Sequence, residues 1–149
     1  MRKKYIHYGH SEFRKELFTP IRNRYMFVKP SGGLWASPLF SEFGWKDWCT
    51  QEHFRMDQLE ECFKFTLSED AKVLHIYDVK QLDDLPQTGG MPMWCCLDFE
   101  LLTYEYDAIE LHLSEDNSRG DFMECLYWVL YGWDCDSILI MNPDVVEVL

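Results

Sequence analysis

The 149-residue sequence lacks most features that would assign it to a familiar class at sight. No apolar run approaches the roughly 18 residues needed to span a bilayer, which argues against a membrane helix. The basic start, MRKKYIHYGH, has no apolar stretch behind it, so it does not read as a secretory signal. There is no GxGxxG, P-loop or HExxH string, so dinucleotide-fold, ATPase and zincin readings lack support. Six cysteines are present without a CxxC pair, and Cys95 and Cys96 are adjacent. That spacing suits neither zinc ligation nor an ordinary bridge, and the expectation is reduced thiols in a cytoplasmic protein. Neither an internal repeat, a low-complexity segment nor a linker divides the chain, so residues 1–149 read as one domain.

Aromatic residues, by contrast, are abundant at 16%, and hydrophobic residues make up 47%, enough for a real core and incompatible with disorder. The formal net charge of -12 is unevenly distributed. Residues 1–30 carry a net +6 and the remainder -18. An acidic body repels a phosphate backbone at long range, while the basic end can hold one small anion such as a pyrophosphate.

Period-2 alternation and turn residues predict strands over 4–9, 34–37, 62–67, 72–77, 107–111 and 137–141. The second is preceded by a Ser31-Gly32-Gly33 turn and stopped by Pro38, and the last is closed by Asn142-Pro143. The strands 62–67 and 72–77, separated by Ser68-Glu69-Asp70, read as a hairpin. Helices are expected from Ser11 to Leu17, from a Thr50 cap to about Cys62, around 80–85, over 98–104 and over 122–131. A short apolar run at 26–28, a long loop at 86–92 and a polar stretch at 114–120 complete the reading. Helices lying between about six short strands indicate an α+β fold with a mixed sheet rather than a doubly wound one.

Four strings supply chemistry. Ile6-His7-Tyr8-Gly9-His10 places an imidazole beside a glycine that allows close approach of a ligand, with His10 as the alternative contact. Lys29-Pro30-Ser31-Gly32-Gly33-Leu34-Trp35-Ala36-Ser37-Pro38 offers a flat indole and a hydroxyl after a double glycine. Tyr106-Asp107-Ala108-Ile109-Glu110 and Trp133-Asp134-Cys135-Asp136-Ser137-Ile138-Leu139-Ile140-Met141 each bring a carboxylate to a late strand. Taken in order, these strings resemble the ADP-ribosyltransferase fold of bacterial toxins and phage-linked enzymes. The connecting stretches Ala71–Leu74, Leu82–Leu85 and Leu97–Glu100 share the likeness.

The resemblance implies a split mixed or antiparallel sheet of about six strands with peripheral helices, and NAD as co-substrate. It implies that His7, with Tyr8 and Gly9, holds a ribose and the nicotinamide amide, and that Trp35 and Ser37 line the nicotinamide pocket. It implies a carboxylate at the start of a late strand. Asp136 fits by position although the family uses Glu there; Asp134 and Glu110 are alternatives. The cleft would lie between the first two strands and the last, and the acceptor would be a protein or a nucleic acid. A toxin or defence effector, with a cognate antitoxin as partner, is the corresponding role. The aromatic segment Phe43–Trp48 with Phe54 either covers the core or forms a stacking wall. A different class remains open: an acidic interaction protein, such as an immunity-type inhibitor or decoy, without catalysis. Convergence of His7, Trp35 and Asp136 on one concavity separates the two readings.

Overall fold

The computed structural model describes residues 1–24, 28–89, 96–117 and 125–149. The elements run β1 Lys4–Tyr8, β2 Leu34–Pro38, α1 Trp45–Glu52, β3 Cys62–Leu67, β4 Val73–Ile76, α2 Phe99–Leu102, β5 Ala108–Leu111, α3 Leu126–Val129, β6 Ser137–Ile140 and β7 Val146–Val148. All seven strands join one sheet in the order β4-β5-β6-β2-β1-β3-β7. Only β4 and β5 pair in parallel; the other five pairings are antiparallel. The fold is therefore α+β around a mixed sheet.

The strongest sequence signal, the run at 137–141, forms β6 beside β5 and β2. Ile138, Leu139 and Ile140 are fully buried there. Because successive strand side chains point to opposite faces, this run feeds two apolar layers. Leu139 and Met141 pack with Ile109, Leu111, Leu126, Leu130 and Trp133 on one face. Ile138 and Ile140 pack with Tyr5, Ala36, Phe65 and Ala108 on the other.

Gly32 and Gly33 form the turn into β2, with φ of +82° and +75°. A Cβ at Gly32 would stand 2.2 Å from the Pro20 carbonyl oxygen, so this close backbone approach requires glycine. The turn is tied down by the Gly33 N–H, which donates to the Thr19 carbonyl at 2.8 Å.

Several expectations need correction. The segment 62–67 is not the hairpin partner of 72–77. Both edges of β3 are occupied by β1 and β7, and β4 crosses to the far edge of the sheet beside β5. The helix after residue 44 starts earlier than the Thr50 cap suggested and is shorter. The Asp47 carboxylate accepts the Gly44 N–H at 2.9 Å, fixing the start, and His53 in the left-handed conformation ends it. Thr50 lies inside the helix, donating to the Lys46 carbonyl. Only a 3-10 turn, Lys15–Leu17, stands where the first helix was expected, with no side-chain cap at its start. The segment around 80–85 is likewise 3-10, Val79–Asp84. The sheet has seven strands rather than six, because the short tail Val146–Val148 adds β7 to the edge of β3. The start of the 26–28 run, the end of the 86–92 loop with Cys95, and the beginning of the 122–131 helix lie outside the described residues.

Candidate functional site

A hollow of about 650 Å³ opens where β1, β2 and β6 lie side by side. His7, Tyr8, Gly9, Trp35 and Ser37 all line it, so the two amino-terminal strings meet as expected. His10 lines it as well. Gly9 has φ of +114°, a conformation that favours glycine, and its N–H donates to the Glu61 carbonyl at 2.8 Å. This contact extends the antiparallel pairing of β1 with β3 by one residue, past Tyr8 and Cys62.

The His7 ring is held from both sides. Its Nδ1 lies 2.6 Å from the Trp35 carbonyl, which can only accept, so Nδ1 carries the proton. Burial lowers the His7 pKa below its ordinary value and keeps the ring neutral; the Trp35 carbonyl opposes that shift and the His10 ring adds to it. Nε2 is then an acceptor, and the His10 Nδ1–H donates to it at 2.9 Å. His7 thus presents one acceptor that an exposed, displaceable His10 occupies.

The walls are aromatic. Trp35 meets Trp133 edge-on at a centroid separation of 4.8 Å, and Trp45 stacks on Trp48 at 5.3 Å with Phe54 against both. The rings of Trp45, Trp48 and Phe54 thus pack on one another, and Trp45 also lines the hollow. Ser37 is buried; its Oγ accepts the Trp45 N–H at 2.9 Å and so ties the first turn of α1 to β2. Trp133 is 1% exposed and lines the hollow, yet its indole N–H has no hydrogen-bond partner among the described residues. A buried donor left unpaired costs about 1–3 kcal/mol, a penalty that a bound acceptor would remove.

Two cations face this aromatic lining. The Lys29 ammonium sits over the Trp35 ring at 4.8 Å, and burial lowers its pKa despite the opposing charge of Asp134. Arg55 reaches the hollow from a left-handed backbone position, with its guanidinium over Phe54. The acids on the lining are Asp57 and Glu61. Neither these acids nor Arg55 was singled out by sequence, because they sit in the irregular segment between α1 and β3. Their only signal is proximity to the aromatic cluster.

None of the three carboxylates expected at the site lines the hollow, so of His7, Trp35 and Asp136 only the first two converge there. Cys135 and Ser137 project into it, so Asp136, between them on the chain, faces the other side of the sheet. There it accepts hydrogen bonds from Ser41 Oγ at 2.9 Å, the Ser114 N–H at 2.8 Å and the Ser114 hydroxyl. Asp134 is half-buried with φ of +62°, and burial raises its pKa while Lys29 pulls it down. Glu110 is fully buried and bonded by Lys3 Nζ and the Tyr5 hydroxyl. Cys135 is not an activated nucleophile: burial pushes its thiol up to about 12, against a smaller opposing hydrogen bond from Ser37.

No protein-family model, curated protein or solved structure matches this chain. Among the described residues no helix is long and apolar enough to cross a membrane, and Cys49, Cys62, Cys96 and Cys135 form no disulfide with one another.

Proposed function

We propose that the hollow binds NAD and that the domain is an ADP-ribosyltransferase with the corresponding fold. The observation that carries the reading is the convergence of His7, Tyr8, Gly9, Trp35 and Ser37 on one concavity with Lys29 and Arg55. Aromatic faces suit the two bases of a dinucleotide, and two cations suit its pyrophosphate. The adjacency of β6, β2 and β1 supports a cleft between the first two strands and the last. Pockets of this volume are the ordinary size for a bound organic ligand.

In this reading the C–N bond between ribose and nicotinamide breaks, and its electron pair leaves with nicotinamide. An acceptor nucleophile on a protein or nucleic acid then bonds to the anomeric carbon and gives up its proton. The developing positive charge needs a carboxylate beside it. Glu61, next to Gly9 at the mouth of the hollow, takes that role here, with Asp57 as its neighbour. Asp136 and Glu110 hold the far side of the sheet together instead.

Calorimetric titration with NAD and chromatography of released nicotinamide test the proposal. Wild type should bind NAD and release nicotinamide slowly into water. Lys29→Gln and Arg55→Gln should each weaken binding about 10-fold, the value of one charged contact. Glu61→Gln should retain binding and lose turnover, whereas Asp136→Asn and Glu110→Gln should retain both. An absence of NAD binding to the wild-type protein overturns the reading and leaves the acidic interaction protein in its place.

A further inference from the structure

On strands away from the hollow, three electron-rich side chains converge. His75 on β4 and Glu110 on β5 are direct register partners in the parallel pair, and His112 follows two residues after Glu110. The two imidazoles face each other through His75 Nδ1 and His112 Nε2 at 2.9 Å. His75 Nδ1 lies 3.6 Å from Glu110 Oε2, and His112 Nε2 lies 3.9 Å from Glu110 Oε1. One ligand atom from each of the three falls within 4.8 Å of the others.

We propose that His75, Glu110 and His112 bind a divalent transition-metal ion of the zinc class. Bonds of about 2.0–2.1 Å at tetrahedral angles put ligand atoms roughly 3.3 Å apart. The imidazole nitrogens stand 2.9 Å apart, and the nearest approaches to Glu110, 3.6 and 3.9 Å, are to its two different oxygens, so a rotation of the carboxylate with small ring shifts would bring one oxygen to that edge from both. Two imidazoles and a carboxylate form a donor set that selects zinc, iron or nickel over magnesium and calcium.

The surroundings resemble the support that such ligands require. His112 is 6% exposed and stacks on Tyr77 at 4.1 Å, which fixes its plane. Its other nitrogen, Nδ1, faces Glu115 at 3.6 Å. A carboxylate on that side favours the tautomer protonated at Nδ1, with the Nε2 lone pair turned inward. Glu110 already receives the Tyr5 hydroxyl at 2.8 Å and the Lys3 ammonium, so it needs neither imidazole as a partner. Both rings nevertheless turn a nitrogen toward it. Those outer contacts fix the carboxylate as hydrogen-bonded ligands usually are. Lys3 is half-exposed, and its flexible ammonium can withdraw to water when a cation arrives. His75 is 43% exposed, which leaves the remaining coordination position open to solvent. The ion would tie the edge strand β4 to β5.

The test is titration of EDTA-treated, tag-free protein with Zn²⁺ by calorimetry, and with Co²⁺ by visible absorption. One equivalent of Zn²⁺ should bind, Co²⁺ should give the d–d bands of a low-coordinate nitrogen–oxygen site, and Mg²⁺ should do neither. His75→Ala, at an exposed position that tolerates truncation, should abolish the equivalent, and Glu115→Gln should weaken it about 10-fold. A wild type that takes up no Zn²⁺ overturns the proposal. So does an equivalent that survives in His75→Ala, since it would then lie elsewhere on the protein.

Discussion

Replacing Gly32 by alanine puts the turn that delivers Trp35 and Ser37 to a direct test. The new Cβ would meet the Pro20 carbonyl oxygen at 2.2 Å, the Thr19 carbonyl oxygen at 2.7 Å and the Pro20 carbonyl carbon at 2.8 Å. All three are backbone atoms, so no side chain can swing aside. The left-handed φ of +82° adds about 1–2 kcal/mol for any residue with a Cβ. Forcing an extra methyl into a packed site adds about 1–3 kcal/mol, so the sum is about 2–5 kcal/mol. For a domain of this size each kcal/mol lowers Tm by about 2–4 °C, and a fall of about 4–20 °C is expected. Gly89→Ala is the internal control, because its Cβ would meet nothing within 4 Å among the described residues. Differential scanning calorimetry of the two variants beside wild type decides the matter. If Gly32→Ala melts within a degree of Gly89→Ala, the close approach of the 19–20 backbone to this turn is wrong, and with it the placement of Trp35.

Two further outcomes follow from buried polar groups. Asp136→Asn removes the charge that strengthens the three bonds accepted from Ser41 and Ser114 and forces the hydroxyls to reorient around an amide; chemical denaturation should show a loss of about 1–3 kcal/mol. Its affinity for NAD should be unchanged, since the side chain lies across the sheet from the hollow. His7 is held neutral by burial, so the unfolded chain takes up more protons below the ordinary histidine value of 6.5. Its contribution to stability is complete above that value and declines as pH falls through the lowered one. Between about pH 7.5 and about pH 5.5, the urea midpoint of wild type should therefore fall further than that of His7→Gln. Equal slopes would mean that the ring is already solvated in the fold.

The fold was legible wherever the signal is local. The alternation over 62–67, the apolar run at 137–141 and the Gly-Gly turn before Leu34 name their elements almost to the residue, because pleat and φ act within a few positions. Pairing is different. A strand pattern states which face is apolar and not which edge bonds to which neighbour. The nearest strand in sequence was accordingly the wrong partner for 62–67, whose edges belong to β1 and to a three-residue strand at the far end of the chain. Helix starts were misread for a related reason. Thr50 has a good capping side chain, but Asp47 already satisfies the Gly44 N–H three residues ahead of itself, and only geometry reveals which competitor is engaged.

At the site, the residues expected on β1 and β2 share one hollow because their strands are neighbours. The carboxylates expected beside them do not line that hollow, and for Asp136 the reason is parity. A strand reverses its facing at every residue, so choosing Asp136 as the acid at the head of β6 also chose the face opposite Cys135 and Ser137. Position along the chain cannot supply that sign. It comes from the register of Trp35 against Leu139 and of Ala36 against Ile138, which sends Leu139 to the core of Trp133 and Ile138 to the core of Tyr5. With that register fixed, an acid two residues before Ile138 must sit on the Tyr5 side, and acids for the hollow have to come from a segment that folds over the other face. Residues 55–61 are that segment, and they bring Arg55, Asp57 and Glu61 with them.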